Sequence, residues 1–214
     1  MKYVDIRQSI PRHTSRQWKK RRKPPSWLVL HCLGTDNQDP NKTARYHVNP
    51  NHISRRGCPG IAYHDFIDKY GTIYRCNDYT DITWHAKGLN GKSLGVVLGY
   101  DGGDTPPPIP QLISYEQHLA NLCLSWVISP MKVIGHREVP FRFNLYGKGS
   151  RRYHKECPGF QIDLPGLRTT LTIRIQSLLY KDGFYNGAPG EPPITGTYNK
   201  YLLKAMKQYA ISKT

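Results

Sequence analysis

The chain is predicted to fold as an α/β domain: a mixed central β-sheet flanked by helices, with a small helical appendage at its C-terminal end. Three observations carry that prediction. Trp27-Leu28-Val29-Leu30 and Leu94 to Leu98 are near-continuously apolar, the pattern of central strands covered on both faces. Ile61 to Asp68 and Thr72 to Arg75 flank Lys69-Tyr70-Gly71, which reads as a hairpin. Apolar residues then recur at helical spacing, at Leu119, Leu122, Trp126 and Val127 and again at Leu171, Ile175, Leu178 and Leu179. The order strand, hairpin, strand, helix, strand implies a mixed sheet with helices packed on it.

Residues 1–26 form a basic arm in which Arg12, Arg16, Lys19, Lys20, Arg21, Arg22 and Lys23 precede Pro24-Pro25. The prolines favour extended backbone leading into the first strand. The charge run reads either as a solvated tail or, with Trp18 among the charges, as an anchor for an anionic surface. Asp101 to Gln111 is too rich in Gly and Pro for regular structure, and Ser114 with Gln117 has the form of a capping box, so a helix is expected to begin there. Pro130 halts that helix before the strand Lys132-Val133-Ile134-Gly135. After the second helical run come the turn-rich Gly183-Phe184-Tyr185-Asn186-Gly187, a Pro/Gly stretch, and a final helix with Leu202, Leu203, Met206 and Tyr209 on one face. The expected division is an arm, 1–26, a main domain, 27–166, and a helical region, 167–214.

At 214 residues the chain can bury a proper core, so a metal is not needed merely to fold it. A formal net charge of +16 predicts attraction to polyanions: nucleic acid, anionic lipid, or the phosphate-rich polymers of a cell envelope. The five cysteines, at 32, 58, 76, 123 and 157, are odd in number and follow no framework spacing. With no signal peptide and no 18-residue apolar run, a reduced, soluble protein made in the cytosol is expected.

Chemistry points to three residues. His31 closes the first apolar run, His136 closes Lys132-Val133-Ile134-Gly135, and Cys157 lies in the loop Lys155-Glu156-Cys157-Pro158-Gly159. Strand ends and adjoining loops are where α/β sheets place their sites. Two imidazoles and a thiolate would leave zinc a fourth position for water, whereas structural zinc takes four protein ligands with close paired spacings, and no CxxC occurs here. On spacing alone, two core histidines and a buried thiol remain an equal reading.

Seven stretches occur in one order: Leu30-His31-Cys32-Leu33-Gly34-Thr35, Gly60 to Ile67, Gly71 to Arg75, His85-Ala86-Lys87-Gly88-Leu89-Asn90, Ser93 to Val96, Gly135 to Val139, and Lys155 to Gly159. In that order they resemble the type 2 N-acetylmuramoyl-L-alanine amidases, which include the amidase-type lysozymes of phages and the peptidoglycan-recognition proteins. The resemblance spans about residues 27 to 164 and implies the same mixed-sheet architecture. It implies that His31, His136 and Cys157 are zinc ligands. It places Tyr63 beside the metal, where a phenol can hold the attacking water or donate to the developing oxyanion, and Lys155 where an ammonium can stabilise the same charge. It sets His85 near the substrate groove, and Thr35, close after the first ligand, is expected to contact substrate.

One departure stands out: His136 and Cys157 are 21 residues apart, because Phe141 to His154 forms a basic, aromatic insertion. Arg142, Lys148, Arg151 and Arg152 there either reach an anionic polymer or simply face solvent. His154 and Cys58 are the substitutes should Cys157 not be a ligand. His64 is expected to face away from Tyr63 as a structural residue, His47 and His52 to lie in a loop bordering the groove, His13 and His118 to be incidental, and Cys32 and Cys123 to be small buried hydrophobes. Ile175 to Leu179, Gly183-Phe184-Tyr185 and Ala205 to Tyr209 are similar to the small helical peptidoglycan-binding domain often fused to such amidases; a C-terminal helix of the main domain with a packed tail is the alternative.

The resemblance thus implies a zinc-dependent, phage-borne amidase acting on bacterial peptidoglycan, as an endolysin or virion-associated hydrolase. Such a protein would be monomeric, made in the host cytoplasm, and would act on the wall after release. The alternative on the same fold is a non-catalytic recognition module. A nucleic-acid-binding protein accounts for the charge but not for the motif order. A glycosidase would need a placed pair of carboxylates, which the 15 acidic residues do not supply in any recognisable pairing.

Overall fold

The structure, a computed structural model of the chain, describes residues 2–143 and 156–213. Among them, β1 (Lys2–Asp5), β2 (Trp27–Cys32), β3 (Asp65–Ile67), β4 (Thr72–Arg75), β5 (Ser93–Leu98) and β6 (Val133–Gly135) form one sheet in the order β1-β4-β3-β5-β2-β6. Only the β3–β4 hairpin is antiparallel; the other neighbours run parallel. The two apolar runs are the adjacent strands β2 and β5, buried on both faces as their composition requires. Leu28, Leu30, Leu94, Val96 and Leu98 meet the helices, while Val29 packs on Ala86, Leu89 and Ile134 on the other side.

Five helices are described: α1 (Pro40–Val48), α2 (Ile109–Trp126), α3 (Val139–Phe143), α4 (Leu164–Lys181) and α5 (Lys200–Ser212). The sequence did not predict α1, which holds His47 where a loop was expected. Asp39 caps it, its carboxylate accepting from the Asn41 N–H at 2.8 Å, and Pro40 opens the first turn. Helix α2 starts at Ile109, five residues before the expected capping box. Ser114 is buried within it because the hairpin turn lands there: a Cβ on Gly71, whose φ is +81°, would lie 2.6 Å from Ser114 Oγ and from the Pro110 carbonyl oxygen. The turn itself is tied by the Asp68 carboxylate, which accepts from the N–H groups of Tyr70 and Thr72.

The arm is laid against the sheet. Its first residues form β1, an edge strand on β4. Arg12 donates to the Cys76 carbonyl at 2.6 Å and to Asn77, and the Trp18 indole N–H donates to Asn77 Oδ1 at 2.9 Å. Lys20 pairs with Asp81 at 2.7 Å, and Arg21 donates to the carbonyls of Asp81 and Ser93 at 2.8 and 2.9 Å. Charges that read as a solvated run are therefore partly committed to backbone and carboxylate partners, with Lys19, Arg22 and Lys23 left exposed.

At the other end, α4 and α5 close the helical side of the sheet. Leu171, Ile175, Leu179, Leu202 and Met206 share one core with Leu119 and Leu122 of α2. Leu178, expected in that core, faces outward. The segment between α4 and α5 is fastened by the buried Gln176, whose side chain accepts from the N–H groups of Thr195 and Gly196 and donates to the Thr197 carbonyl. No described helix is long and apolar enough to cross a membrane.

Candidate metal centre

Strand register assembles the site. Leu30 of β2 lies opposite Gly135 of β6 in a parallel pair, so the next residues, His31 and His136, emerge side by side with ring centroids 4.7 Å apart. Cys157 completes the cluster from the following loop. Its Sγ is 3.7 Å from His31 Nδ1 and accepts the Cys32 N–H at 3.4 Å. Each of the three residues offers a donor atom within 4.8 Å of the others.

The Cys157 loop is pinned by a residue that sequence reasoning passed over. Arg137, next to the second histidine, gives its N–H to the Cys157 carbonyl at 2.9 Å, and its guanidinium donates to the carbonyls of Gly159 and Ile162 at 2.6 and 3.0 Å. Glu138 accepts from the Gly135 N–H at 2.9 Å and pairs with Arg168 of α4, which also donates to the Val133 carbonyl. The loop approaches β6 so closely that a Cβ on Gly135 would lie 2.8 Å from Pro158 Cδ. The only signal in the sequence was that Arg137 and Glu138 share a short stretch with the ligand.

The donor set suits zinc. Two imidazoles and one thiol, largely buried, supply three ligands and leave a fourth direction for water or substrate. A contact with Cys32 and burial push the Cys157 thiol well up, and a cation held by the three residues would take the place of that proton. The long spacing does not keep Cys157 from the histidines. Cys58 lies elsewhere, with its N–H on the His47 carbonyl, and is not in the described group. Lys155, His154, Lys148, Arg151 and Arg152 fall outside the described residues, as does the side chain of Arg142.

Tyr63 packs its ring between His31, 5.1 Å away, and His47, 5.6 Å away. Burial pushes its pKa up, so the phenol keeps its proton and remains a donor. Thr35 is exposed in the loop just beyond β2. His85 is buried against the first histidine: it is 6% exposed, with Nδ1 3.1 Å from His31 Nε2 and Nε2 3.2 Å from Ser93 Oγ. Burial lowers its pKa to about 3 and keeps the ring neutral. His47, buried on α1, accepts the Ala62 N–H at 2.9 Å, whereas His52 is exposed against the Tyr46 ring. His64 is buried in a structural setting, accepting the Gly95 N–H at 2.9 Å, but its ring lies 5.8 Å from that of His85. Nor is His118 incidental: its Nε2 is 2.9 Å from the buried Asp65 carboxylate, which Tyr79 also contacts.

A family model described as N-acetylmuramoyl-L-alanine amidase matches residues 21–160. No curated protein matches. Among solved structures, the chain is similar to the endolysin N-acetylmuramoyl-L-alanine amidase LysCS from Clostridium intestinale, with 22% identity and a TM-score of 0.59 over 79% of this chain and 95% of that one. The Ph2119 endolysin from a Thermus scotoductus bacteriophage gives 18% identity and a TM-score of 0.59 over 79% and 98%. Drosophila PGRP-LB gives 20% identity and a TM-score of 0.56 over 75% and 89%. At these identities the likeness is one of fold.

Proposed function

Since the chain belongs to the N-acetylmuramoyl-L-alanine amidase family, we propose that it is a zinc-dependent hydrolase of the amide bond between N-acetylmuramic acid and L-alanine in bacterial peptidoglycan. The observation that carries this reading is the convergence of three donors of the types zinc favours, His31 and His136 at the ends of two parallel strands and Cys157 from a loop beyond them. Zinc held there would supply an acidified water and a Lewis acid for the scissile carbonyl. The chain's own residues do the rest. Tyr63, protonated and against His31, donates a hydrogen bond to the oxygen that gains charge as the carbonyl is attacked. Thr35, on the exposed lip after β2, contacts the peptide. Lys155 is assigned to the same developing charge by resemblance.

A variant of Drosophila PGRP-LB has been solved with tracheal cytotoxin, which supports a peptidoglycan fragment as the ligand of this site. Retention of two histidines and a cysteine favours hydrolysis over recognition alone. The endolysin relatives favour a phage lytic role, in which a monomer made in the host cytoplasm reaches the wall after release, its net charge of +16 drawing it to anionic wall polymers.

Digestion of purified peptidoglycan, with and without a zinc chelator, tests the reading. New L-alanine amino termini are expected, without new reducing sugar ends; they vanish with chelator and return with zinc. Cys157→Ser abolishes them and weakens zinc uptake. Wall binding with no new termini would make the protein a recognition module, and full activity of Cys157→Ser with normal zinc content would sink the ligand assignment.

A further inference from the structure

His85 has no part in the proposed hydrolysis, yet the contacts on its two ring nitrogens run in one direction. The Ser93 hydroxyl has a single hydrogen, and its bond to the Leu89 carbonyl at 2.8 Å uses it. The same oxygen, 3.2 Å from His85 Nε2, is then the acceptor of that contact, and Nε2 carries the His85 proton. A neutral imidazole has one N–H, so His85 Nδ1 is left with a lone pair. The atom facing that lone pair at 3.1 Å is His31 Nε2, which must donate. The His31 proton is thereby held on Nε2, and its lone pair sits on Nδ1, the nitrogen 3.7 Å from Cys157 Sγ.

We infer that His85 is a positioning residue that fixes the tautomer of His31, through the chain Leu89 carbonyl, Ser93 hydroxyl, His85, His31, so that Nδ1 is presented to the metal. The inference deepens the zinc reading above and rests on it for its consequence, though not for its geometry. Hydrogen bonds on the far nitrogen of a ligating histidine set ring orientation and basicity, and their loss commonly costs metal affinity.

The relay gives two of the sequence stretches a physical meaning. A glycine inside a central strand weakens it unless something must come close. At Gly95 of β5 something does: a Cβ there would lie 2.6 Å from His85 Cγ and 2.7 Å from its Nδ1, so the glycine is the seat of the ring. Ser93, two residues earlier on the strand, supplies the hydroxyl. Asn90 closes the loop that delivers His85, its Oδ1 accepting from the Ala86 N–H at 2.6 Å. His85 to Asn90 and Ser93 to Gly95 thus form one device.

The test uses the full chain labelled with 15N-histidine, recorded by long-range proton–nitrogen correlation without metal and after addition of zinc. Zinc affinity is measured in parallel by competition with a chromophoric chelator. In the unmodified protein His31 and His85 are both expected as Nε2–H tautomers. His85→Asn places Oδ1 where Nδ1 was; it should keep the His31 tautomer and the zinc affinity. His85→Leu offers no acceptor and should give mixed His31 tautomers, with zinc bound roughly 10- to 100-fold more weakly. An Nδ1–H His31 in the metal-free protein, or equal weakening by Asn and Leu, would overturn the inference. Should His85→Leu not fold, Ser93→Ala frees His85 to take either tautomer, and an unchanged His31 there would overturn the relay as well. A protein that shows the expected tautomers but takes up no zinc supports the relay and defeats the zinc hydrolase reading, so the two fail separately.

Discussion

Replacing Tyr63 by Phe removes one hydroxyl from a ring whose position is set by His31 on one side and His47 on the other. If that hydroxyl donates to the oxyanion, kcat falls by roughly 10²- to 10³-fold, the usual cost of one such donor, while zinc content and KM change little. Steady-state kinetics on a muramyl peptide with zinc quantified in the same sample checks this; an unchanged kcat would remove Tyr63 from the chemistry. At this scale the sequence was informative wherever a residue's place depended on its own neighbours. His31 and His136 could be read because each ends an apolar strand, and strand ends converge in a parallel sheet. The contact of His85 with His31 could not be read, because its burial depends on Gly95 and Ser93, on a strand whose closeness to His85 only folding reveals.

Between β6 and α4, a short turn and a loop share one fastening. Arg137 donates to the carbonyls of Gly159 and Ile162 and, through its backbone, to that of Cys157, so one guanidinium fixes the loop that carries the thiol. Arg137→Ala leaves those carbonyls without their charged donor, at a cost on the order of 2 kcal/mol. The loop then no longer holds Sγ against His31, and zinc affinity should drop roughly 10- to 100-fold. Arg137→Lys should recover only part of both, because an ammonium cannot span carbonyls as a planar fork does. Chelator competition and urea unfolding of the metal-free protein measure the two effects; zinc affinity equal to that of the parent would show that the loop is positioned by something else. Strands β2 to β6 and the long helices were legible because their apolar patterning is strong; β1, with three of its four residues exposed, carries no such signal and was read as part of the arm. Helix α1 was not: it buries only Pro40, Thr43, Ala44 and His47, a face with almost no hydrophobic signal, and its one cue was the Asp39-Pro40 start.

Across the whole molecule, one core joins the sheet to both ends of the chain's helical half. Leu202 and Met206 of α5 are fully buried in the same cluster as Leu28, Leu94, Leu119 and Leu171, so α5 closes the core that supports β2 and β5. This bears on whether residues 167–214 act as a separate wall-binding unit, which their composition alone left open: an apolar helix face can serve its own small core or a larger neighbour's, and the sequence does not say which. If α5 is integral, Leu202→Ala opens a cavity in the shared core and destabilises the entire protein by about 2–5 kcal/mol. Unfolding should remain a single calorimetric transition, shifted to lower temperature, and the zinc site should melt with it, since β2 carries His31 on one face and Leu28 and Leu30 on the other. Differential scanning calorimetry on the zinc-loaded protein, followed by a metal-release dye during the scan, reads both. Two transitions in Leu202→Ala, with only the lower one moved and zinc released at the parent temperature, would instead make the C-terminal helices an independent module, and binding to intact cell walls would then be the property that Leu202→Ala impairs.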